Sequence, residues 1–518
     1  MRQLMEKELL KARTIARGDR FRQGEHYDAT AAPVVHTPSL KIMIVWAVRN
    51  NLQLFKFDEV AAFYGNQMDR TGVYVKLAAG YNPVGEDLRP LSAPHLYGEL
   101  AGAVPGIPQG SRLHYDGINA DLQALSFKRS AVEPCLFVHK DGKMAISLHV
   151  DDGVLACTSV VEAEQVLGAK GLGKTRRLTW DPLDTTLGID FDIDYTQERR
   201  SVFMSQRPYA INILERAGMS DCRSAVSPAV AGRKYTKKDF AGSDEARKLL
   251  ASKGKTKESY RTVTASFNFL TNITRDDLRY AQGKQMKYNA DPGNVHFNDL
   301  GHQCRFLKGT LDYGVEALWF ATDSPNNGHM KIEAWSDSSF ADDIDTGRTT
   351  IGNVIKIDGT TVSASSKLSA RVDSCVNHSE LNAFSDLASD IERSHTDSTM
   401  FSFMKTSRDL VYIRGVVAAL EGTDERDMPP TEVFVDNTGV ISMLGDPNIK
   451  AANRHIFRTL EEVRERVHLD KTIWPVKVHT KANLANAMTK QEPGQKESAA
   501  MLLKICGPRT PYSLFRAN

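Results

Sequence analysis

The sequence has few cysteines, no long apolar run and almost no net charge. Its six cysteines are spread over 518 residues without a C-x-x-C pair, which argues against a zinc ribbon, a thioredoxin-like site and a secreted disulfide framework. The longest strongly apolar run, residues 42–48, is far shorter than the ~20 residues of a membrane helix. The N-terminus is charged where a signal peptide would be apolar. We therefore expect an intracellular protein that does not enter a membrane.

Charge is balanced overall but uneven along the chain. The 66 basic and 64 acidic side chains leave a formal charge of +2, so no global attraction to nucleic acid is expected. Residues 1–22 carry seven basic and three acidic side chains, and residues 233–261 carry ten and four. Each stretch is either a phosphate-binding surface or an ordinary solvated face. Residues 332–345 hold five acidic and no basic residues, which indicates a cation site or a solvated loop.

Hydrophobic patterns divide the chain into two regions of strands and helices. In the first, residues 51–58 alternate and end on Asp58, and residues 135–157 form a hairpin with an Asp141-Gly142 turn, interrupted by Asp151-Asp152. Residues 187–204 predict another hairpin, and the Lys- and Gly-rich stretch 231–257 predicts a boundary. Strands over 330–365 and 432–436, with helices over 379–392 and 410–420, then predict a second α/β domain.

Three carboxylates of the first region would converge if these strands are neighbours. Asp58 ends one strand, and Asp151 and Asp152 lie at the tip of a hairpin between two apolar runs. Two divalent ions held about 3.5 to 4 Å apart would relieve their repulsion and activate an attacking hydroxyl. A lone Asp-Asp pair is otherwise ordinary turn chemistry. The flanking apolar runs favour the metal site.

A series of motifs resembles the reverse transcriptase of copia-type LTR retrotransposons. They are LLKARTIARGD, YDATAAPVV, FDEVAAFYGN, HVDDGVLA and LGIDFDID, followed by SQRPYAINILERAGM, YRTVTASFNFLT and RFLKGTLDYG. The resemblance continues into a ribonuclease H domain with AWSDSSFADDIDTGRTTIG, SELNAFSDLA, VFVDNTGVI and NLANAMTK. It covers residues 8–492.

The resemblance implies an α+β fold, a right-hand polymerase with fingers, palm and thumb followed by an α/β ribonuclease H-like domain. The expected parts are fingers and palm over 1–230, a basic linker with a helical thumb or connection over 231–329, the ribonuclease H-like domain over 330–492, and a tail over 493–518. The Asp-Thr-Gly at 345–347 is then a turn between strands of the second domain, and not an aspartic protease signature.

The resemblance also assigns roles in the polymerase centre. It makes Asp58, Asp151 and Asp152 the catalytic metal ligands, with a primer 3′-hydroxyl as nucleophile. The remaining residues would bind substrate: Lys11 and Arg13 the triphosphate, Phe63 the sugar to exclude a 2′-hydroxyl, His149 the primer terminus, and Gln109 and Arg112 as the family's Gln and Arg before the palm helix.

In the second domain, Asp337, Glu380 and Asp436 match the catalytic carboxylates that bind two magnesium ions. Asn486 stands where the family has a fourth carboxylate ligand. The implied ion is Mg²⁺ or Mn²⁺. The implied partners are an RNA template, a DNA primer, RNA/DNA hybrid and deoxynucleoside triphosphates, and the implied location is the cytoplasm, including virus-like particles, or the nucleus.

Three departures from the family pattern leave a second function open. His149 replaces an aromatic residue, Asn486 contributes no charge, and insertions fall at 101–108 and around 394–406. With a start inside the fingers, they suggest a fragment or a drifted copy. The expected function is RNA-directed DNA synthesis with ribonuclease H activity. The alternative is a degenerate or host-adopted relic that binds nucleic acid without efficient catalysis. The oligomeric state stays open.

Overall fold

A computed structural model provides the fold, and it describes residues 15–59, 62–77, 97–168, 171–172, 176–320, 328–370, 372–373, 375–388, 410–445, 457–490 and 495–510. The strands, in chain order, are β1 (Gln53–Glu59), β2 (Tyr74–Lys76), β3 (Tyr97–Glu99), β4 (Phe127–Arg129), β5 (Leu136–His139), β6 (Ala145–His149), β7 (Asp152–Cys157), β8 (Gly171–Leu172), β9 (Arg176–Pro182), β10 (Thr185–Thr186), β11 (Ile189–Tyr195), β12 (Arg199–Ser205), β13 (Tyr313–Phe320), β14 (Ile332–Ser339), β15 (Thr350–Ile357), β16 (Thr360–Leu368), β17 (Thr431–Val435), β18 (Ile473–Lys477) and β19 (Gly507–Pro508).

The α-helices, also in chain order, are α1 (Thr37–Arg49), α2 (Gly110–Ala124), α3 (Val160–Leu167), α4 (Arg207–Arg216), α5 (Asp244–Ala251), α6 (Lys257–Ile273), α7 (Arg279–Met286), α8 (Asn294–Gly309), α9 (Val376–Ala388), α10 (Leu410–Glu421), α11 (Thr438–Gly445), α12 (Phe457–Arg464), α13 (Asn486–Thr489) and α14 (Gln495–Ile505). None of the described helices combines the length and the apolar character needed to cross a membrane.

The first sheet has seven antiparallel strands in the order β4-β5-β6-β7-β1-β9-β8. Alternate residues of its strands face opposite sides. Leu54 and Val154 belong to a core shared with α1, whereas Phe57 and Leu155 belong to a second core with residues of α2 and α3. Both faces are therefore covered, which explains the nearly continuous apolar runs of the central hairpin.

Helix α1 is the central element of the molecule. Proline at its first turn helps to start it, and residues 39–48 are all buried. A helix buried on every side belongs to a core, and α1 packs against β6 and β7 on one hand and against β13, β16 and α10 on the other. The ammonium of Lys41, buried within it, lies 3.1 Å from the buried carboxylate of Asp276.

The second sheet joins distant parts of the chain. Its order is β10-β11-β12-β13-β19, and its paired strands are antiparallel. Helices α4 to α8 lie in sequence between β12 and β13, and α4, α6 and α8 supply a core of their own that includes Ile213, Phe267 and Leu307.

The third sheet is mixed, with the order β16-β15-β14-β17-β18. Strands β14, β15 and β16 are antiparallel, whereas β14, β17 and β18 are parallel. Parallel neighbours need a crossover connection, and helices α9 and α10 lie between β14 and β17 in the described chain.

The mixed α/β class and most predicted elements agree with this structure. The stretch 231–257 differs from the expected linker, because it contains a 3₁₀ turn at Lys237–Asp239 and helix α5. Strands β13 and β18 were not predicted, and residues 257–286 contain two α-helices, α6 and α7. The fingers, palm and thumb and the domain limits remain predictions.

Candidate active sites

Asp58 and Asp152 lie directly opposite one another on the antiparallel strands β1 and β7. Residues opposed in this way project from the same face of a sheet. The next pair along is Phe57 and Gly153, and a Cβ added at Gly153 would lie 2.1 Å from the Phe57 ring. Glycine is therefore required beside Asp152, because the Phe57 ring occupies the space of a side chain.

Asp151 lies in a tight turn between β6 and β7. The pairing of His149 with Asp152 leaves only Val150 and Asp151 in the turn, and Val150 has a φ of 60°. This left-handed conformation is unfavourable for a β-branched residue and stores strain. The Asp151 carbonyl accepts a hydrogen bond of 3.2 Å from the Glu59 N–H, which ties the turn to β1. We call Asp58, Asp151 and Asp152 the hairpin centre.

The electrostatics of the hairpin centre favour a cation. Partial burial, followed by the negative charges of Asp151 and Asp58, raises the pKa of Asp152, while His149 and Lys56 act in the opposite direction. The Nδ1 atom of His149 is buried and makes no hydrogen bond to any described residue. A divalent cation would relieve the repulsion that raises this pKa.

The predicted substrate-binding residues have different surroundings. Gln109 is fully buried and donates to the His26 carbonyl at 3.1 Å. Arg112 donates to the Ala29 carbonyl at 3.0 Å and pairs with Asp116 and Asp69. Phe63 is half-buried, with its ring centroid 6.0 Å from that of His114. Lys11 and Arg13 lie outside the described residues.

A buried carboxylate–histidine pair next to Asp58 in the chain was not predicted from the sequence. Glu59, the residue after Asp58, has its Oε2 atom 2.7 Å from Nε2 of His114, and both side chains are almost fully buried. His114 belongs to α2, as does Arg112. The signal available in the sequence was a glutamate inside an apolar strand and a histidine on the apolar face of a helix.

Asp337, Glu380 and Asp436 form a compact cluster, which we call the triad centre. Each offers one oxygen atom, and these atoms lie within 4.8 Å of one another. Asp337 is in β14, Glu380 in α9, and Asp436 follows β17, the parallel neighbour of β14. Among the described residues, this is the only group of three or more acidic, histidine or cysteine side chains gathered so closely.

Burial makes the charges of the triad centre costly. It raises the pKa of Glu380 to about 8, with further contributions from the charges of Asp337 and Asp436. It raises the pKa of Asp337 to about 6, while Lys490 and the Thr489 hydroxyl act in the opposite direction. The Oε2 atom of Glu380 is buried without a hydrogen-bond partner in the described chain. Buried carboxylates of this kind fit a divalent cation.

Asn486 is close to the triad centre in the fold. It is 4% exposed and begins α13, and the Thr489 hydroxyl of that helix donates to the Asp337 carboxylate. The Asn486 amide nitrogen donates to the Thr480 carbonyl, while its amide oxygen is buried without a partner among the described residues.

The acidic stretch after β14 is tied to α7. Asp342 pairs with Lys284 and Asp343 with Lys287, each at 2.5 Å. These two carboxylates are therefore neutralised by lysines. The Asp-Thr-Gly forms a turn between β14 and β15, with Gly347 at a φ of 66°, as the resemblance implied.

Comparison with known proteins identifies relatives. A family model described as reverse transcriptase (RNA-dependent DNA polymerase) matches residues 3–231. The chain is 22% identical over 494 residues to the retrovirus-related Pol polyprotein from transposon TNT 1-94 of Nicotiana tabacum. The match spans 94% of this chain and 33% of that protein.

Two similar proteins come from Arabidopsis thaliana. The Pol polyprotein from transposon RE2 is 25% identical over 483 residues, and that from transposon RE1 is 23% identical over 485 residues. Each match spans 93% of this chain and 29% of the relative. The chain thus spans about a third of the length of the curated relatives it matches.

Proposed function

The chain belongs to the copia-type retrotransposon Pol family, and from this membership we propose that it is an RNA-directed DNA polymerase with ribonuclease H activity. The observation that carries the polymerase proposal is the opposition of Asp58 and Asp152, with Asp151 in the strained turn beside them. The substrates would be an RNA template, a DNA primer and deoxynucleoside triphosphates.

In the hairpin centre, Asp58, Asp151 and Asp152 would hold Mg²⁺ or Mn²⁺. When bound, such ions lower the pKa of an attacking hydroxyl and neutralise phosphate charge. The protein would orient the nucleotide around them. Phe63, fixed near His114, would exclude a 2′-hydroxyl, and Gln109 and Arg112 would brace the nucleotide side of α2. His149 would contact the primer terminus, and Lys11 and Arg13 the triphosphate.

The triad centre would cleave the RNA strand of RNA/DNA hybrid. Asp337, Glu380 and Asp436 would hold the same kind of ion, and Asn486 would offer a neutral carbonyl oxygen. The support is the 4.8 Å spacing of the acidic oxygens and the unpartnered Oε2 atom of Glu380. We propose residues 330–492 as the ribonuclease H-like unit, 1–230 as fingers and palm, 231–329 as thumb or connection and 493–518 as a tail. The proposed compartment is the cytoplasm, including virus-like particles, or the nucleus.

The test measures both activities in the same preparations. Primer extension on an RNA template and cleavage of a labelled hybrid are followed with Mg²⁺. The Asp151→Asn/Asp152→Asn double variant should lose extension and keep cleavage, and Asp337→Asn should do the reverse. Asp141→Asn, which alters an aspartate in the neighbouring β5–β6 turn, should keep both. A double variant that extends primers like the wild type would refute the polymerase assignment.

The second candidate function is a relic that binds nucleic acid without efficient catalysis. The polar atoms left without partners on His149 and Asn486 favour it. It predicts that wild type binds hybrid equally with Mg²⁺ and with a chelator, and neither extends nor cleaves. The His149→Tyr and Asn486→Asp variants would then be assayed. Recovered activity would attribute the loss to these two side chains, and no recovery would indicate a wider loss of catalytic function.

A further inference from the structure

A cleft of about 360 Å³ opens beside the triad centre. One wall comes from residues 230–235 and helix α7, and the other from the ends of β14, β15 and β16. Ser339 in its wall is two residues beyond Asp337, and Lys490 follows Thr489, which is hydrogen-bonded to Asp337. The cleft therefore neighbours the triad centre through the end of β14 and the residue after α13, and its volume is within the range of ligand sites.

Basic side chains dominate the lining of this cleft. In the part of the chain that the structure describes, two acidic residues line it, Asp342 and Asp343, each paired with a lysine of the opposite wall. The six basic residues are Arg233, Lys234, Lys284, Lys287, Lys367 and Lys490. Basic side chains thus outnumber acidic ones in the described lining by six to two. Arg233 also pairs with Asp299, outside the lining, at 3.0 Å, whereas Lys234 is exposed and faces an anion entering the cleft.

The two ion pairs also fix the walls relative to one another. Lys284 and Lys287 belong to α7 or directly follow it, while their partners lie in the loop after β14. Gly283 faces β16, and an added Cβ there would lie 3.6 Å from the Ser366 carbonyl oxygen. The helix and the sheet are therefore in close contact, and the cleft is a formed feature of the fold.

An exposed aromatic ring lies in the wall formed by the end of β14. Phe340 directly follows Ser339 in the lining and is 40% exposed. Exposed aromatic rings beside basic residues are the usual platform for unstacked bases of single-stranded nucleic acid, since every base has a face that stacks. Paired bases inside a duplex have no free face.

We propose that this cleft, the basic cleft, binds a single-stranded segment that continues from the hybrid at the triad centre. Phosphates lie against Lys234 and the other basic residues, and one unpaired base stacks on Phe340. The inference rests on the proposed nuclease function for the position of the hybrid. It assigns residues 233–235 and α7, expected in the thumb or connection, to the substrate site of the nuclease.

The test compares two hybrids with the same duplex, one blunt and one with a single-stranded extension. Binding is measured by fluorescence anisotropy in the full-length Asp337→Asn protein, so that cleavage is blocked. The extended hybrid should bind more tightly. Phe340→Ala should remove that advantage, a loss of roughly fivefold or more. Lys234→Glu should weaken only the extended hybrid and lower the slope of affinity against salt by about one phosphate contact.

Matched controls separate a local effect from a general one. Trp474→Ala removes another exposed aromatic ring, at the far edge of the same sheet, and Lys253→Glu reverses an exposed charge after α5. Both should leave the advantage of the extended hybrid unchanged. Equal loss in the controls and the cleft variants would overturn the proposal.

The outcome is independent of whether the nuclease works. If wild type cleaves hybrid but Phe340→Ala and Lys234→Glu bind both hybrids as the parent protein does, the basic cleft proposal is wrong and the nuclease assignment stands. If wild type fails to cleave while the extension still binds through Phe340 and Lys234, the cleft proposal stands and the nuclease assignment fails.

Discussion

Gly352 lies directly opposite Asp337 on the neighbouring strand, and helix α13 occupies the space above it. A Cβ added at Gly352 would lie 2.6 Å from Cβ of Met488 and 2.7 Å from Cγ2 of Thr489. These distances are shorter than non-bonded carbon atoms allow. The absence of a side chain at Gly352 is therefore what lets Thr489 reach the Asp337 carboxylate.

Gly352→Ala should displace α13 from the sheet. We expect a loss of about 1 to 3 kcal/mol in the free energy of unfolding, as for other overpacked cores. Hybrid cleavage should fall more than primer extension, because the Thr489 hydrogen bond to Asp337 is lost. Gly445→Ala is the control, since no atom of the described residues lies within 4 Å of an added Cβ there. Unchanged cleavage by Gly352→Ala would show that α13 does not position Asp337.

The raised pKa of Glu380 predicts how stability depends on pH. The folded protein holds a proton on Glu380 up to about pH 8, whereas an unfolded chain loses it near pH ~4.3. Stability without metal should thus fall as pH rises between these values, because the folded state holds a proton that the unfolded chain has already lost. Asp337, raised to about 6, adds to the lower part of this range.

Thermal unfolding with a chelator, followed from pH 5 to pH 8, would measure the effect. Glu380→Gln should flatten the fall in melting temperature, because its side chain does not titrate. Mg²⁺ should stabilise wild type most at pH 8, because fewer protons compete with the ion for the carboxylates there. Equal pH slopes for wild type and Glu380→Gln would contradict the raised pKa.

The sequence predicts local elements better than the contacts between them. The alternation around Asp58 and the apolar runs around Asp151 predict strands, because a half-buried strand repeats every two residues. Nothing local predicts that β13 would pair with β12, more than a hundred residues earlier in the chain. The apolar run of β13 is compatible with either a helix or a strand. Pairing with β12 is what makes it a strand.

The acidic stretch shows the same limit at the level of side chains. Five acidic residues over 332–345 were compatible with a cation site or a solvated loop. In the fold, Asp337 joins the triad centre, while Asp342 binds Lys284 of α7 and Asp343 binds Lys287 directly after that helix. Those lysines are more than fifty residues away in sequence, so only tertiary structure separates the two outcomes.

The buried pair of Glu59 and His114 should support the polymerase activity. His114→Ala removes the histidine that lies 2.7 Å from the buried Glu59 carboxylate, so we expect a loss of about 3 kcal/mol in unfolding free energy. Because Glu59 follows Asp58 and His114 is near Phe63, extension should also fall, by roughly tenfold or more. Urea unfolding and primer extension measure the two effects.

A second buried pair provides the control for that prediction. His36 lies 2.9 Å from the buried Glu133 carboxylate, which also accepts a hydrogen bond from Tyr412. His36→Ala should cost similar stability but leave extension by the folded fraction unchanged. If both histidine variants lose extension in proportion to stability, the Glu59–His114 pair has no special part in positioning Asp58.

The strained turn at Val150 gives the last prediction. Val150→Gly should raise stability by about 1 kcal/mol, because glycine adopts the φ of 60° without the clash of a β-branched side chain. Extension should nevertheless fall, because a looser turn holds Asp151 and Asp152 less firmly. Lys471→Gly relaxes a φ of 51° in the turn before β18, so it should gain stability without changing extension. A Val150→Gly protein that is both more stable and fully active would show that the strain at Val150 is unrelated to catalysis.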